Sequence, residues 1–135
     1  MSHRGSVSVC IPARNEEATV ASLVTAVRAH PRADEVIVVD HASTDATAAR
    51  AAAAGARVLA ADGILAEFGP ALGKGDVLWR SVHAASGDVI VWLDADLRSY
   101  CPDYLSRLLA PLDDDDSIAM VRPDYRRTLH GEPSG

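Results

Sequence analysis

One stretch constrains this chain more than any other: Val89-Ile90-Val91-Trp92-Leu93-Asp94-Ala95-Asp96. Its five apolar residues, three of them β-branched, read as a strand buried on both faces, the pattern of a parallel sheet. Two carboxylates arrive where the run stops. Held extended, Asp94 and Asp96 share one side of the chain, with the small Ala95 opposite. Carboxylates this close repel each other, and a hard divalent cation that completes its shell with phosphate oxygens relieves the repulsion. A single aspartate would read as an ordinary strand end. Asp-x-Asp behind such a strand reads as a metal-phosphate site.

The same grammar recurs along the chain. Val7 to Ile11 reads as a first strand stopped by Pro12, which cannot donate to a sheet ladder. Asn15 is placed to cap a helix whose positive end suits Glu16 and Glu17, and Val20, Leu23, Val24 and Val27 follow at helical spacing. Glu35 to Asp40 is a second buried strand, again closing on a carboxylate. His41-Ala42-Ser43-Thr44-Asp45 is a polar turn in which Ser43 or Thr44 caps an alanine-rich helix running to Gly55. Arg57 to Leu59 gives a short third strand. From Ala60 to Gly73 the glycines, Pro70 and weak periodicity predict a long surface loop. Gly73-Lys74-Gly75 opens a helix with Leu78, Val82 and Ala85 on its packing face. Pro102 suits the first turn of a last helix, with Leu105, Leu108, Leu109 and Leu112 on one side. Asp113 to Asp116 reads as a solvated acidic loop, Ser117 to Val121 as a further strand, and 122–135 as an irregular tail.

Strands alternating with helices predict an α/β fold: a mainly parallel sheet with helices on both faces and right-handed crossovers, Rossmann-like, in one domain over 1–135. Ligands of such sheets sit beyond the carboxyl ends of the strands, where strand order reverses. The chain delivers Pro12 to Glu16, Asp40 to Asp45 and Asp94 to Asp96 there. A net charge of −6, with no Lys and Arg cluster interleaved with aromatics, argues against nucleic acid as a partner. No apolar run approaches a membrane span, and the amino terminus shows no signal-peptide core. Cys10 and Cys101 have no metal-ligand spacing, which predicts a reducing, cytoplasmic setting.

The phosphate chemistry narrows further. After the first strand stands Pro12-Ala13-Arg14-Asn15-Glu16-Glu17 in place of G-x-G-x-x-G, so a dinucleotide fold of the dehydrogenase kind is not expected. Gly69 to Gly75 lacks the spacing and the Ser or Thr of a P-loop. Asp-x-Asp with a lysine at a helix start suits a pyrophosphate, bridged by the cation and by the Lys74 ammonium. A nucleoside diphosphate sugar has that shape.

These motifs together resemble those of glycosyltransferases with the GT-A fold: Val7 to Glu17, Val39 to Asp45, Gly73-Lys74-Gly75 and Leu93 to Leu97 in succession. More narrowly, Gly-Lys-Gly before Leu78-Trp79-Arg80-Ser81, and Tyr125-Arg126-Arg127, resemble the glucosyl-3-phosphoglycerate synthases. The resemblance implies transfer of glucose from UDP-glucose to 3-phosphoglycerate with retention, using Mg²⁺ or Mn²⁺. It assigns Pro12, Ala13, Arg14 and Glu16 to the uridine, with Asn15 in the same turn. His41 falls near the nucleotide, Lys74 at the diphosphate-glucose end, Asp94 and Ala95 on the ribose side, and Asp96 on the metal. It names no catalytic residue. Arg14 stands where the family has Leu, and His41-Ala42 where it has Ser-Gly, so nucleotide affinity or base preference is expected to differ. The family's acceptor loop and later metal-binding histidine fall beyond residue 135. The chain therefore reads as the donor half, apparently truncated, prone to self-association as a homo-oligomer and not expected to make glucosyl-3-phosphoglycerate alone.

Plainer readings stand beside these. Glu16 also serves a helix dipole, Lys74 also reads as a solvated lysine, and His41 as a surface or capping residue. Two other functions fit the pattern: a donor-binding pseudoenzyme without turnover, and a phosphotransferase with Asp94 as nucleophile. Leu97-Arg98 does not continue the phosphatase pattern.

Overall fold

The computed structural model describes residues 5–121, 127–129 and 132–134. Three apolar runs and one short mixed run pair side by side to form the sheet. They are β1 (Val7–Ala13), β2 (Glu35–Asp40), β3 (Arg57–Ala60) and β4 (Val89–Trp92), in spatial order β3-β2-β1-β4 and all parallel. The chain steps outward from β1 to β3, then returns to lay β4 on the other side of β1. Strand order therefore reverses between β1 and β4, as the alternating pattern predicted for a doubly covered sheet.

Both faces are covered. On one, α1 (Val20–Arg28) buries Val20, Leu23, Val24 and Val27, the four positions its spacing marks, against Val9, Ile11, Val36 and Val38. Ala51 of α2 (Thr47–Ala53) and Leu105 and Leu109 of α4 (Pro102–Asp114) complete that layer. On the other face Cys10, Ile37 and Val39 meet Val77 of α3 (Lys74–Ala84) and Ala61 and Ala71 of the preceding loop. Burying apolar side chains at about 1.5–3 kcal/mol each supplies the driving force for both layers.

Several details differ from the sequence reading. β1 does not stop at Pro12 but runs through it to Ala13. The Cys10 carbonyl accepts from Leu93 and the Ala13 carbonyl from His41, so alternate residues face opposite neighbours. Pro12, in step with Cys10, faces the β4 side, where pairing has ended at Cys10 with Trp92, and its missing N–H leaves no ladder bond unmade. Neither Asn15 nor Ser43 or Thr44 caps a helix: α1 and α2 begin after Thr19 and Ala46, without side-chain caps. β4 is not buried on both faces. Among the described strands it pairs only with β1, its residues Val89 and Ile90 are half-buried, and Trp92 is exposed. The hydrophobic run reports strand propensity, not position in the sheet.

The buried face of α3 is Val77, Arg80 and Ser81; Val82, expected inside, is exposed. Asp113 and Asp114 belong to α4, and Asp113 is gripped by Arg32 at 2.6 Å, so the acidic run is only partly a loop. Residues 117–121 form no strand. In the tail, β5 (Arg127–Leu129) and β6 (Glu132–Ser134) pair antiparallel where irregular chain was expected. Tyr125 and Arg126 lie outside the described residues. Among the described residues no helix is long and apolar enough to cross a membrane.

Candidate nucleotide-sugar site

The reversal between β1 and β4 leaves a cleft beyond their carboxyl ends, and a cavity of about 450 Å³ sits there. That is within the usual size of a small-molecule pocket. It is lined by Pro12, Ala13, Arg14 and Glu16 after β1, by His41 after β2, by Leu72, Gly73 and Lys74 where α3 begins, and by Asp94, Ala95 and Asp96 after β4. Of the residues singled out in the sequence for nucleotide or metal, all but Asn15 border this one space.

Asn15 has a different task. With φ at 54° it occupies the left-handed region, its N–H donates to Ser43 Oγ (2.9 Å), and its Oδ1 accepts the Thr44 N–H (2.8 Å). Glu16 N–H donates to Thr47 Oγ1 (2.8 Å), Glu17 N–H to Asp45 Oδ2 (3.3 Å), and Glu17 Oε2 accepts the Ala46 N–H (2.8 Å). The turns after β1 and β2 are thus stitched to each other, which consumes the polar side chains of Ser43, Thr44 and Asp45. None of the three lines the cavity. The Thr47 hydroxyl, ahead of its N–H and that of Glu17, holds the Asp45 carboxyl below its ordinary value of 3.8. Two adjacent glutamates and a polar turn did carry this signal, but as partners 28 to 31 residues apart rather than as caps.

The β4 end is pinned differently. Its last paired residue is Trp92; Asp94 to Leu97 form a turn closed by Leu97 N–H on the Asp94 carbonyl (3.1 Å). Buried Thr19, at the entrance of α1, donates its hydroxyl to the Ala95 carbonyl at 2.8 Å. Ala95 is buried while Asp94 and Asp96 are exposed to the cavity. Both carboxylates face the cavity as expected, but a turn rather than the extended chain read from the sequence puts them there.

Lys74 is the first residue of α3, and its ammonium pairs with the Asp94 carboxylate. Both side chains are more than half exposed, so the pair adds little stability and leaves its charges available to a ligand. A Cβ added at Gly73 or Gly75 would meet no protein atom within 4 Å. Protein packing therefore does not call for glycine on either side of Lys74, and the open space admits close approach of a ligand to the positive end of the helix. The Nε2–H of His41 donates to the Ala71 carbonyl (3.0 Å), tying the β2 end to the loop before α3. Cys10 lies beneath the sheet face with its thiol pushed up to about 11 by burial, which leaves it a packing residue.

Arg14 and Asp96 have no hydrogen bond or ion pair among the described residues. A free carboxylate beside a lysine-held one offers the oxygen ligands a hard cation takes, with diphosphate oxygens and water left to complete the shell. The donor chemistry fits Mg²⁺ or Mn²⁺. Asp96 would hold the ion, which would supply charge neutralisation to a diphosphate leaving group.

The family model described as Glycosyl transferase family 2 matches residues 8–132. The chain belongs to glycosyl transferase family 2. Among curated family members, glucosyl-3-phosphoglycerate synthase of Mycolicibacterium smegmatis is 45% identical over 126 residues, covering 92% of this chain and 42% of that protein. The crystal structure of the M. tuberculosis enzyme of that name superposes with a TM-score of 0.84 at 42% identity, over 91% of this chain and 46% of the other. Structures of that enzyme with Mn²⁺, UDP-glucose and phosphoglyceric acid, and with Mg²⁺ and UDP, superpose at TM-scores of 0.77 and 0.79. They are 42% and 41% identical, and each match covers 84% of this chain and 41% of the other. The chain spans less than half the length of these family 2 relatives. Its parallel sheet with helices on both faces is that of the GT-A glycosyltransferases.

Proposed function

We propose that this chain binds UDP-glucose with Mg²⁺ or Mn²⁺ in the cavity at the β1 and β4 ends, and supplies the donor side of glucosyl transfer to 3-phosphoglycerate. The observation that carries the reading is the convergence of Glu16, Lys74, Asp94 and Asp96 on one cavity at the strand-order reversal. The ligands bound in the M. tuberculosis structures support the choice of nucleotide, sugar, cation and acceptor.

In this reading the turn Pro12 to Glu16 receives the uridine, with the free Arg14 guanidinium and the His41 edge beside it. Lys74 and the α3 amino end meet the diphosphate, where a mobile point charge and helix-end N–H groups both favour anionic oxygen. Asp94 and Ala95 face the ribose, and Asp96 takes the cation. Orientation is the main contribution of these groups, since holding donor and acceptor at near-attack distance supplies much of the rate of a transfer. The reaction belongs in the cytoplasm, where the free thiols Cys10 and Cys101 stay reduced. The turns that hold the cavity leave Asn15 a supporting rather than a contacting role.

Calorimetric titration with UDP-glucose tests the reading. Binding is expected with Mg²⁺ or Mn²⁺ and much reduced in EDTA, and Asp96→Ala should erase the difference. Equal affinity under both conditions would remove the metal assignment. Turnover of general phosphatase substrates would favour Asp94 as a phosphotransfer nucleophile instead.

A further inference from the structure

The largest fully buried side chain described is a charged one, Arg80, at 1% exposure in the middle of α3. A buried guanidinium is costly unless its donors are met, and here they are met almost wholly by one segment. Nη1 donates to the carbonyls of Ala61 (3.3 Å) and Ile64 (3.0 Å), and Nη2 to that of Gly69 (2.7 Å). Nε donates to Asp76 Oδ1 at 3.2 Å, one turn back on the same helix. The three carbonyls span a stretch whose only regular pieces are two 3-10 turns, Ala61–Gly63 and Ala66–Phe68, and Gly69 sits at a φ of 83° that a side chain would strain.

The network continues toward the cavity without Arg80 touching it. Asp76 Oδ2 accepts the Leu72 N–H (3.0 Å), and this bond, followed by that of Arg80, holds its carboxyl below the ordinary range. Asp62 Oδ1 accepts the Ala71 N–H (2.7 Å), while His41 secures the Ala71 carbonyl. Leu72, Gly73 and Lys74, the residues that follow, form one wall of the cavity. An apolar side chain would pack α3 on the sheet as well, and replacing buried charge by apolar groups is often neutral or stabilising. The guanidinium earns its place through the shape of the loop.

We infer that Arg80 is a positioning residue for the nucleotide-sugar site: its guanidinium gathers 61–72 into the wall that places Lys74 and His41 against the ligand. The inference rests on the proposed donor site for its consequence in binding, but its structural half stands alone. The test pairs two readouts on the full chain, amide hydrogen exchange and calorimetric titration with UDP and Mg²⁺. Arg80→Met is expected to speed exchange at Ala71 and Leu72 while Val36 to Val39 keep native protection. UDP should weaken roughly 10- to 100-fold, the range met when the hydrogen-bond partners that orient metal ligands are lost. Arg80→Lys, with fewer donors in one fixed fork, should fall between. Arg32→Met, which breaks the remote pair with Asp113, should lower the melting temperature yet leave both loop amides and UDP affinity unchanged.

Native exchange at Ala71 and Leu72 in folded Arg80→Met would overturn the inference. So would a loss of UDP affinity that Arg32→Met reproduces at equal stability. If Arg80→Met does not fold, Arg80→Lys and Asp76→Asn carry the decision, and native loop exchange in both would overturn it. Failure of the parent chain to bind UDP would count against the donor site, while the exchange arm would still decide what Arg80 does.

Discussion

The two walls of the cavity are built on opposite plans. The strand-end wall, from Pro12 to Glu17 with 41–47, is held by many reciprocal hydrogen bonds, each of which can be lost while its neighbours persist. The helix-side wall, 61–74, converges on one buried cation and two aspartates. Redundancy gives the first wall a fixed shape. Concentration makes the second one sensitive to a single side chain, and it is the wall that carries the lysine proposed for the diphosphate.

The largest effect expected outside Arg80 is on binding. Lys74→Ala should weaken UDP by about 1.5–3 kcal/mol, the worth of a charge-assisted contact, and leave the melting temperature nearly unmoved because the pair with Asp94 is exposed. A large drop in melting temperature would mean that Lys74 is structural and that the walls differ less than described. Next comes Thr19→Val, which keeps shape but leaves the Ala95 carbonyl without its donor. It should cost about 1–2 kcal/mol in urea unfolding and weaken metal-dependent UDP binding with it. A pure stability loss would uncouple the Asp-x-Asp turn from α1.

A smaller change should sharpen the strand-end wall. Ala42 sits at φ 56°, where a Cβ costs roughly 1–2 kcal/mol. Glycine relieves that strain but gains about 0.4–1 kcal/mol of freedom in the unfolded chain. Ala42→Gly is therefore expected to stabilise by about 0.5–1 kcal/mol, read as a higher urea midpoint. The smallest effect is shared by both walls. Asp45 and Asp76 have carboxyls held below 3.8 by hydrogen bonds, from the Thr47 hydroxyl and the Leu72 N–H foremost. A depressed folded value means stability that is complete above the unfolded value and lost as pH falls through the folded one. Melting temperatures should stay flat from about pH 7 to about pH 5 and decline below about pH 4. A decline already complete at about pH 5 would point to other groups.

How much of this could be read in advance differs between the same two walls. The apolar spacing of Val20, Leu23, Val24 and Val27 named the buried face of α1, and Asp40 marked the end of β2, whereas β4 stops at Trp92, two residues before Asp94. Asn15, Ser43 and Thr44 were read as local caps because a cap needs only neighbours in sequence; their partners lie 28 and 29 residues away. On α3 the pattern failed for a plainer reason. Choosing Leu78, Val82 and Ala85 assumes that the inner face is the apolar one, whereas the loop carbonyls draw Arg80 inside and leave Val82 and Trp79 exposed. The spacing of Asp76 and Arg80, four apart on one helix, was the available hint. The position of β4, which among the described strands pairs only with β1, had none, since Val89 to Leu93 reads the same at an edge as in the middle of a sheet.

Amide shift mapping of the isotope-labelled chain during titration with UDP and Mg²⁺ bears most directly on the cavity as the donor site. Shifts should concentrate at Ala13 to Glu16, Gly73 to Gly75 and Asp94 to Asp96, with β3 and α4 silent and the response lost in EDTA. Shifts gathered on another face, or none at ligand excess, would contradict the assignment.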